Sequence, residues 1–150
     1  MDAIERLIAI EDIKQLKARY FRCMDTKDWD GFTAQFSEDA VMDVSGEMGD
    51  DATDEPGIIR GGRAIGDFVR GAVGDVVTVH HGHMPEISVT SATTASAMWA
   101  MEDMLRWPDG SPLREMHGYG HYGETYEKRG GRWLITSLKL TRLRVDVTTD

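Results

Sequence analysis

A carboxylate in a helical segment and histidines in later strand-like segments are the groups in this sequence that could do chemistry together. Asp25 closes a run in which Ile13, Leu16, Tyr20, Phe21 and Met24 recur at three- and four-residue steps. That spacing lines up an apolar stripe along one face of a helix. At helical pitch Asp25 falls about 40° from Phe21 and about 100° from Met24, at the stripe's edge. It also stands near the helix C-terminus, where the macrodipole disfavours negative charge. A carboxylate so placed is either a solvated end residue or a buried functional acid.

Five histidines fall in two segments: His80, His81 and His83 in one, His117 and His121 in the other. Side chains alternate along a strand, so His80 faces away from His81 and His83, while His117 and His121 share a face. Two chemistries compete for them. One is metal binding: His81-Gly82-His83 with Glu86 is a near miss to the cupin metal motif, whose acidic ligand stands one or two positions further on. The strongly helical N-terminus also argues against an all-β barrel, so no metal is expected. The other is acid–base catalysis by an Asp–His pair, in which a carboxylate on one ring nitrogen fixes the tautomer and leaves the other free to take a proton. Asp25 and His80 could meet if the helix packs across the strand's concave face.

The elements that must position these groups follow from periodicity. Asp2 and Glu5 have the form of a capping box. Ile4, Leu7 and Ile8 mark one apolar face, and residues 2–27 form one helix or two with a break near Glu11. Asp28 caps a second short helix in which Trp29, Phe32 and Phe36 share a face. Val41 to Val44 is the first strand signal. The acidic, glycine-containing stretch 45–57 is expected to be a solvated loop, the one place where disorder is expected. Gly61-Gly62 precedes a helix over roughly 63–72.

After Gly74 the period becomes two. Strands are expected over Val76–His83 with a continuation at Ile87–Thr90, then over Thr93–Leu105, Leu113–Lys128 and Arg132–Val145. Trp107-Pro108-Asp109-Gly110 and Gly130-Gly131 mark turns. Helices first and a meander of long strands afterwards is an α+β order in which the helices pack on one side of the sheet.

The 150 residues suit a single domain spanning 1–150, and 41% apolar content suits a packed core. A formal net charge of −9 argues against nucleic acid and anionic membrane as partners. Cys23 is the sole cysteine, so no internal disulfide can form. The amphipathic, acidic N-terminus has no apolar run suited to a signal peptide or membrane span, so a cytoplasmic location is expected. Gly61-Gly62-Arg63 lacks the context of a phosphate loop. The methionines and tryptophans fill a core or line an apolar pocket, with Trp99 the expected pocket wall.

The segment from Ile13 through Tyr20 and Asp25 to Trp29, followed by Phe36-Ser37-Glu38-Asp39-Ala40-Val41, resembles the opening of SnoaL-like proteins. These belong to the superfamily of nuclear transport factor 2 and scytalone dehydratase. Thr78-Val79-His80 leading to Pro85-Glu86-Ile87 is similar to that family's histidine strand. Tyr122-Gly123-Glu124-Thr125-Tyr126 with Gly131-Arg132-Trp133 is similar to its last hairpin. The resemblance implies a cone-shaped α+β barrel, with N-terminal helices packed on a strongly curved antiparallel or mixed sheet that encloses a pocket.

It further implies that Asp25 and His80 form the dyad with which such dehydratases and dehydrochlorinases abstract a proton and expel water or halide. Tyr20 would assist, and His117 would match a second histidine of scytalone dehydratase. Trp99, Met84, Tyr122 and Leu138 are the expected substrate contacts. Two positions depart from the family pattern: Leu138 replaces a common arginine, and Met84 a common asparagine. The duty of stabilising negative charge would then pass to Tyr20, His117, Arg142 or Arg144.

The resulting expectation is a cofactor-independent lyase of dehydratase type. It would act on a small hydrophobic hydroxy-carbonyl or polycyclic compound, in a homo-oligomer (dimer or trimer, as the resemblance implies). The alternatives are an isomerase or cyclase using the same dyad, or a non-catalytic binder of small molecules.

Overall fold

The structure is a computed structural model that describes residues 1–48 and 57–149. Its elements run α1 (Ala3–Asp25), α2 (Trp29–Thr33), β1 (Phe36–Asp43), α3 (Ser45–Met48), β2 (Ile58–Arg60) and α4 (Gly62–Val73). Four long strands follow: β3 (Val77–Val89), β4 (Thr94–Arg106), β5 (Glu115–Arg129) and β6 (Arg132–Thr148).

Helix α1 opens with the expected capping box: the Glu5 amide donates to Asp2 Oδ1 and the Asp2 amide to Glu5 Oε2, each at 2.8 Å. It continues without a break past Glu11. Its buried face starts only at Ala9; the apolar face marked by Ile4, Leu7 and Ile8 is exposed. The helix closes on a Schellman arrangement, with the Asp28 amide donating to the Cys23 carbonyl and the Lys27 amide to the Met24 carbonyl. Lys27 occupies the left-handed position at φ 63°, where glycine is the usual choice. Its Nζ donates to the Val73 carbonyl (2.8 Å) and to Thr78 Oγ1 (3.3 Å), tying the helix end to α4 and β3.

The sheet order is β2-β1-β6-β5-β4-β3. All pairings are antiparallel except β1 with β6, which is parallel. β2 and β3 are edges, so the sheet is a curved open cone and not a closed barrel. Register shifts interrupt β3 at Gly82/Pro85 and the β5–β6 ladder at Tyr119/Gly120 and Thr125/Tyr126. Such bulges bend strands and increase twist. The buried positions of β4 and β5 alternate strictly, and the helices cover that face.

The strand signals from Val76 onward are all observed, with starts up to two residues later and the last strand ending three residues further on. Phe36 starts β1, although its ring still packs 5.3 Å from Phe32. Ser45–Met48 is a short helix and β2 an additional strand within or beside the expected loop, while the rest of that loop, 49–56, lies outside the described residues.

Candidate active site

Asp25 is the last residue of α1, and its carboxylate reaches the inner face of β3. Oδ1 lies 2.7 Å from His80 Nδ1 and accepts from Thr78 Oγ1 at 2.9 Å, while Oδ2 accepts from the His80 amide at 2.8 Å. One carboxylate thus grips a strand's backbone, a hydroxyl and an imidazole. Thr78 and His80 are two apart on β3, so both project inward, and both are buried. A carboxylate on Nδ1 holds the proton there and leaves Nε2 as the basic nitrogen. The Phe21 ring lies nearly parallel to the imidazole, with centroids 6.2 Å apart.

His80 Nε2 lies 3.8 Å from Asp103 Oδ2, beyond hydrogen-bonding distance. Asp103 on β4 is held instead by Arg142 of β6, through Nη1–Oδ1 at 2.7 Å and Nη2–Oδ2 at 2.9 Å. This bidentate pair spans β5 because Gly118 lies between: a Cβ there would collide with both Arg142 Nη1 and Asp103 Oδ1. Asp103 had no distinguishing mark in the sequence beyond an acid at an inward position of a long alternating strand.

His80, Asp103 and Arg142 open into a cavity of about 280 Å³. Its polar end also carries Tyr20 and Tyr122, which hydrogen-bond to each other through their side chains. The remaining wall is apolar, built from Met24, Met42, Val44, Phe68, Val69, Leu105, Met116, Leu138 and Leu140, among others. Burial, with the Tyr20 and Asp103 side chains nearby, pushes the Tyr122 hydroxyl well above the usual phenol range, so it is a neutral donor at ordinary pH.

Of the residues singled out in the sequence, Asp25 joins His80, while Tyr20, His80, Tyr122 and Leu138 line this cavity. Trp99 does not line it. Trp99 is buried deeper, its indole N–H donating to Tyr126 Oη at 2.9 Å. Met84 sits in the β3 bulge with 90% of its surface exposed, because the register shift turns it out of the sheet. His117 faces the convex side by strand alternation. It bonds Glu102 at 2.9 Å and stacks on Tyr119 at 4.4 Å.

His81 and His83 also turn outward to Glu102, at 3.4 and 3.3 Å. Hydrogen bonds from His117 first and then His81 hold the Glu102 carboxyl below its ordinary range. Among the described residues no group of three or more His, Cys, Asp or Glu side chains is arranged to hold a metal ion. Among the described residues no helix is long and apolar enough to cross a membrane.

Helices seated in a curved six-stranded sheet, with an Asp–His pair at the wall of an apolar cavity, define a member of the nuclear transport factor 2-like class. More narrowly, the chain belongs to the SnoaL-like domain family, whose pattern matches residues 5–139. Similar solved structures include a protein provisionally described as a scytalone dehydratase from Novosphingobium aromaticivorans. It shares 19% identity over 99% of this chain and 93% of that one, with a TM-score of 0.83. Hexachlorocyclohexane dehydrochlorinase LinA-type3 from Novosphingobium barchaimii shares 17% identity over 98% and 94%, with a TM-score of 0.81. A protein provisionally described as an aromatic ring hydroxylase from Novosphingobium aromaticivorans shares 25% over 93% and 94%, with a TM-score of 0.77. Three differently described proteins share the fold, so the reaction must be argued from the site.

Proposed function

We propose that the protein is a cofactor-independent lyase of dehydratase type acting on a small, uncharged, hydrophobic hydroxy-carbonyl compound. The observation that carries this is the Asp25–His80 bond at the wall of an apolar cavity, with Nε2 turned towards Asp103 and the cavity. Nε2 takes a proton from the carbon beside the substrate carbonyl, and the electron pair moves into the forming enolate. The hydrogen-bonded pair of Tyr20 and Tyr122 meets the developing negative charge on the carbonyl oxygen through its one free hydroxyl proton, which the other hydroxyl strengthens by its own bond. Collapse of the enolate forms the carbon–carbon double bond and expels hydroxide, which leaves as water with the proton from the imidazolium. Asp25 on one side and Asp103 on the other stabilise that imidazolium while it exists.

Arg142 lines the cavity from β6, but its pairing with Asp103 leaves the duty of the arginine absent at Leu138 to Tyr20 and Tyr122. Leu138, Leu140 and Arg142 all face the cavity from that strand. Because Asp103 neutralises Arg142, the cavity presents no uncompensated cation to draw in a phosphate or carboxylate, which favours an uncharged substrate. The volume sits near the lower end for ligand pockets and fits a compact molecule.

Incubation with a panel of small β-hydroxy ketones, followed by mass spectrometry, tests the assignment. A product lighter by one water supports it. A product of unchanged mass but altered retention would instead mean isomerisation by the same dyad, and a bound but unaltered ligand would mean a binding protein.

A further inference from the structure

We propose that Lys17, buried behind the cavity wall, acts through the Tyr20 and Tyr122 rings to strengthen their hydroxyls as donors to an oxyanion. This rests on the reading above, in which that pair of hydroxyls meets the substrate carbonyl. Lys17 is completely buried, one turn before Tyr20 on the inner face of α1. Its Nζ sits 3.5 Å from the Tyr20 ring centroid and 3.9 Å from that of Tyr122, between the two rings that line the polar end of the cavity. A cation against a π face draws electron density from the ring, and in a phenol this makes the O–H a stronger donor. With no water around it, the ammonium acts at far higher strength than on a surface.

The counter-ion does not itself line the cavity. Glu124 on β5 meets Nζ at 3.1 Å through Oε1 and 3.2 Å through Oε2. Tyr126 donates to Glu124 Oε1 at 3.1 Å, and the Trp99 indole donates to Tyr126 at 2.9 Å. That chain stabilises the Glu124 charge from the side of Tyr126 and Trp99, which do not line the cavity, while the rings of Tyr20 and Tyr122 face the ammonium. An ion pair serving packing alone would be matched in stability by apolar residues of similar size, so a buried charge with this orientation calls for an electrostatic role.

The experiment reads binding, not turnover. Affinity for para-nitrophenolate, an oxyanion probe, is compared with affinity for neutral nitrobenzene. The comparison is made in the wild type, in Glu124→Gln, and in the double variant Lys17→Met/Glu124→Gln, which leaves no orphan charge. The double variant should lower the phenolate-to-nitrobenzene ratio by about tenfold, the scale of a desolvated cation–π contact. Glu124→Gln alone removes the carboxylate that opposes burial, so Lys17 sheds its proton more readily and the ratio should fall here too. A ratio unchanged in the double variant overturns the proposal.

Should the double variant fail to fold, the wild type decides through carbon-labelled tyrosine. The phenol resonances of Tyr20 and Tyr122 must shift with the Lys17 side-chain titration, and flat resonances across it overturn the proposal. Neither measurement requires catalysis, so a failure here leaves the dyad assignment standing. Full turnover in a His80 variant would sink that assignment without touching the ratio.

Discussion

Asp25 holds His80 twice, by its ring at 2.7 Å from Nδ1 and by its backbone amide at 2.8 Å, so the helix end and the strand fix one imidazole between them. Neither contact alone would set both the position of the ring and its tautomer. His80→Ala should therefore lower turnover by about 10²–10⁴-fold, the usual worth of a general base. Asp25→Asn should cost a comparable factor, because an amide can present its NH₂ to Nδ1 and move the ring proton to the wrong nitrogen. Steady-state rates beside thermal melts check both, and a rate within about threefold of wild type in either variant would sink the dyad.

Thr78→Val keeps the shape of the strand but removes the hydroxyl that donates to Asp25 and accepts from Lys27. Bonds to charged groups are worth about 1.5–3 kcal/mol. The variant should lose roughly tenfold or more in kcat with little change in KM, since the threonine acts through the dyad and not on substrate. A change confined to KM would show instead that Thr78 touches the ligand.

Gly118 is the residue that lets Asp103 and Arg142 meet across β5. Gly118→Ala should drive the two side chains apart and cost about 1–3 kcal/mol of stability, the range of overpacking, along with most activity. Gly123 lies on the same strand, where a Cβ would make only ordinary contact with the Met98 methyl. Gly123→Ala is the matched control and should leave both properties close to wild type. Denaturant midpoints with rates on the same preparations check the contrast.

The sequence revealed Asp25, Tyr20 and His80 because a helical stripe, a strand period and a family pattern each marked them. The cone and its helix-first order were legible for the same reason: long runs of period two after Gly74 leave few alternatives. What it could not show were contacts between distant segments. Asp103 and Gly118 matter only because β4, β5 and β6 lie side by side in register, which no local period encodes. His117 entered through the family resemblance, but its neighbour Gly118 is the residue on the inner face beside Asp103, so His117 points outward. Met84 was misplaced because the bulge after Gly82 breaks the alternation. β2 is three residues long, too short to leave a periodic signal.

The buried pair of Lys17 and Glu124 should leave its mark on stability as a function of pH. Burial pulls the Lys17 ammonium down to about 8, against the opposing pull of Glu124. The charged and titratable groups facing it are Glu124 and Tyr122 from β5 and Tyr20 from its own helix. Its folded value lies below the unfolded value of 10.5, so between about 8 and 10.5 the unfolded chain binds a proton that the native state has released. Lys17 therefore contributes stability above the unfolded value and loses that contribution as pH falls through about 8. Burial raises Glu124, so its contribution is present at low pH and lost as pH rises through its folded value. The wild type minus Lys17→Met/Glu124→Gln difference in unfolding free energy should consequently rise from pH 8 towards 10.5. Chemical denaturation across that interval measures it, and a flat difference would mean that Lys17 keeps its proton throughout.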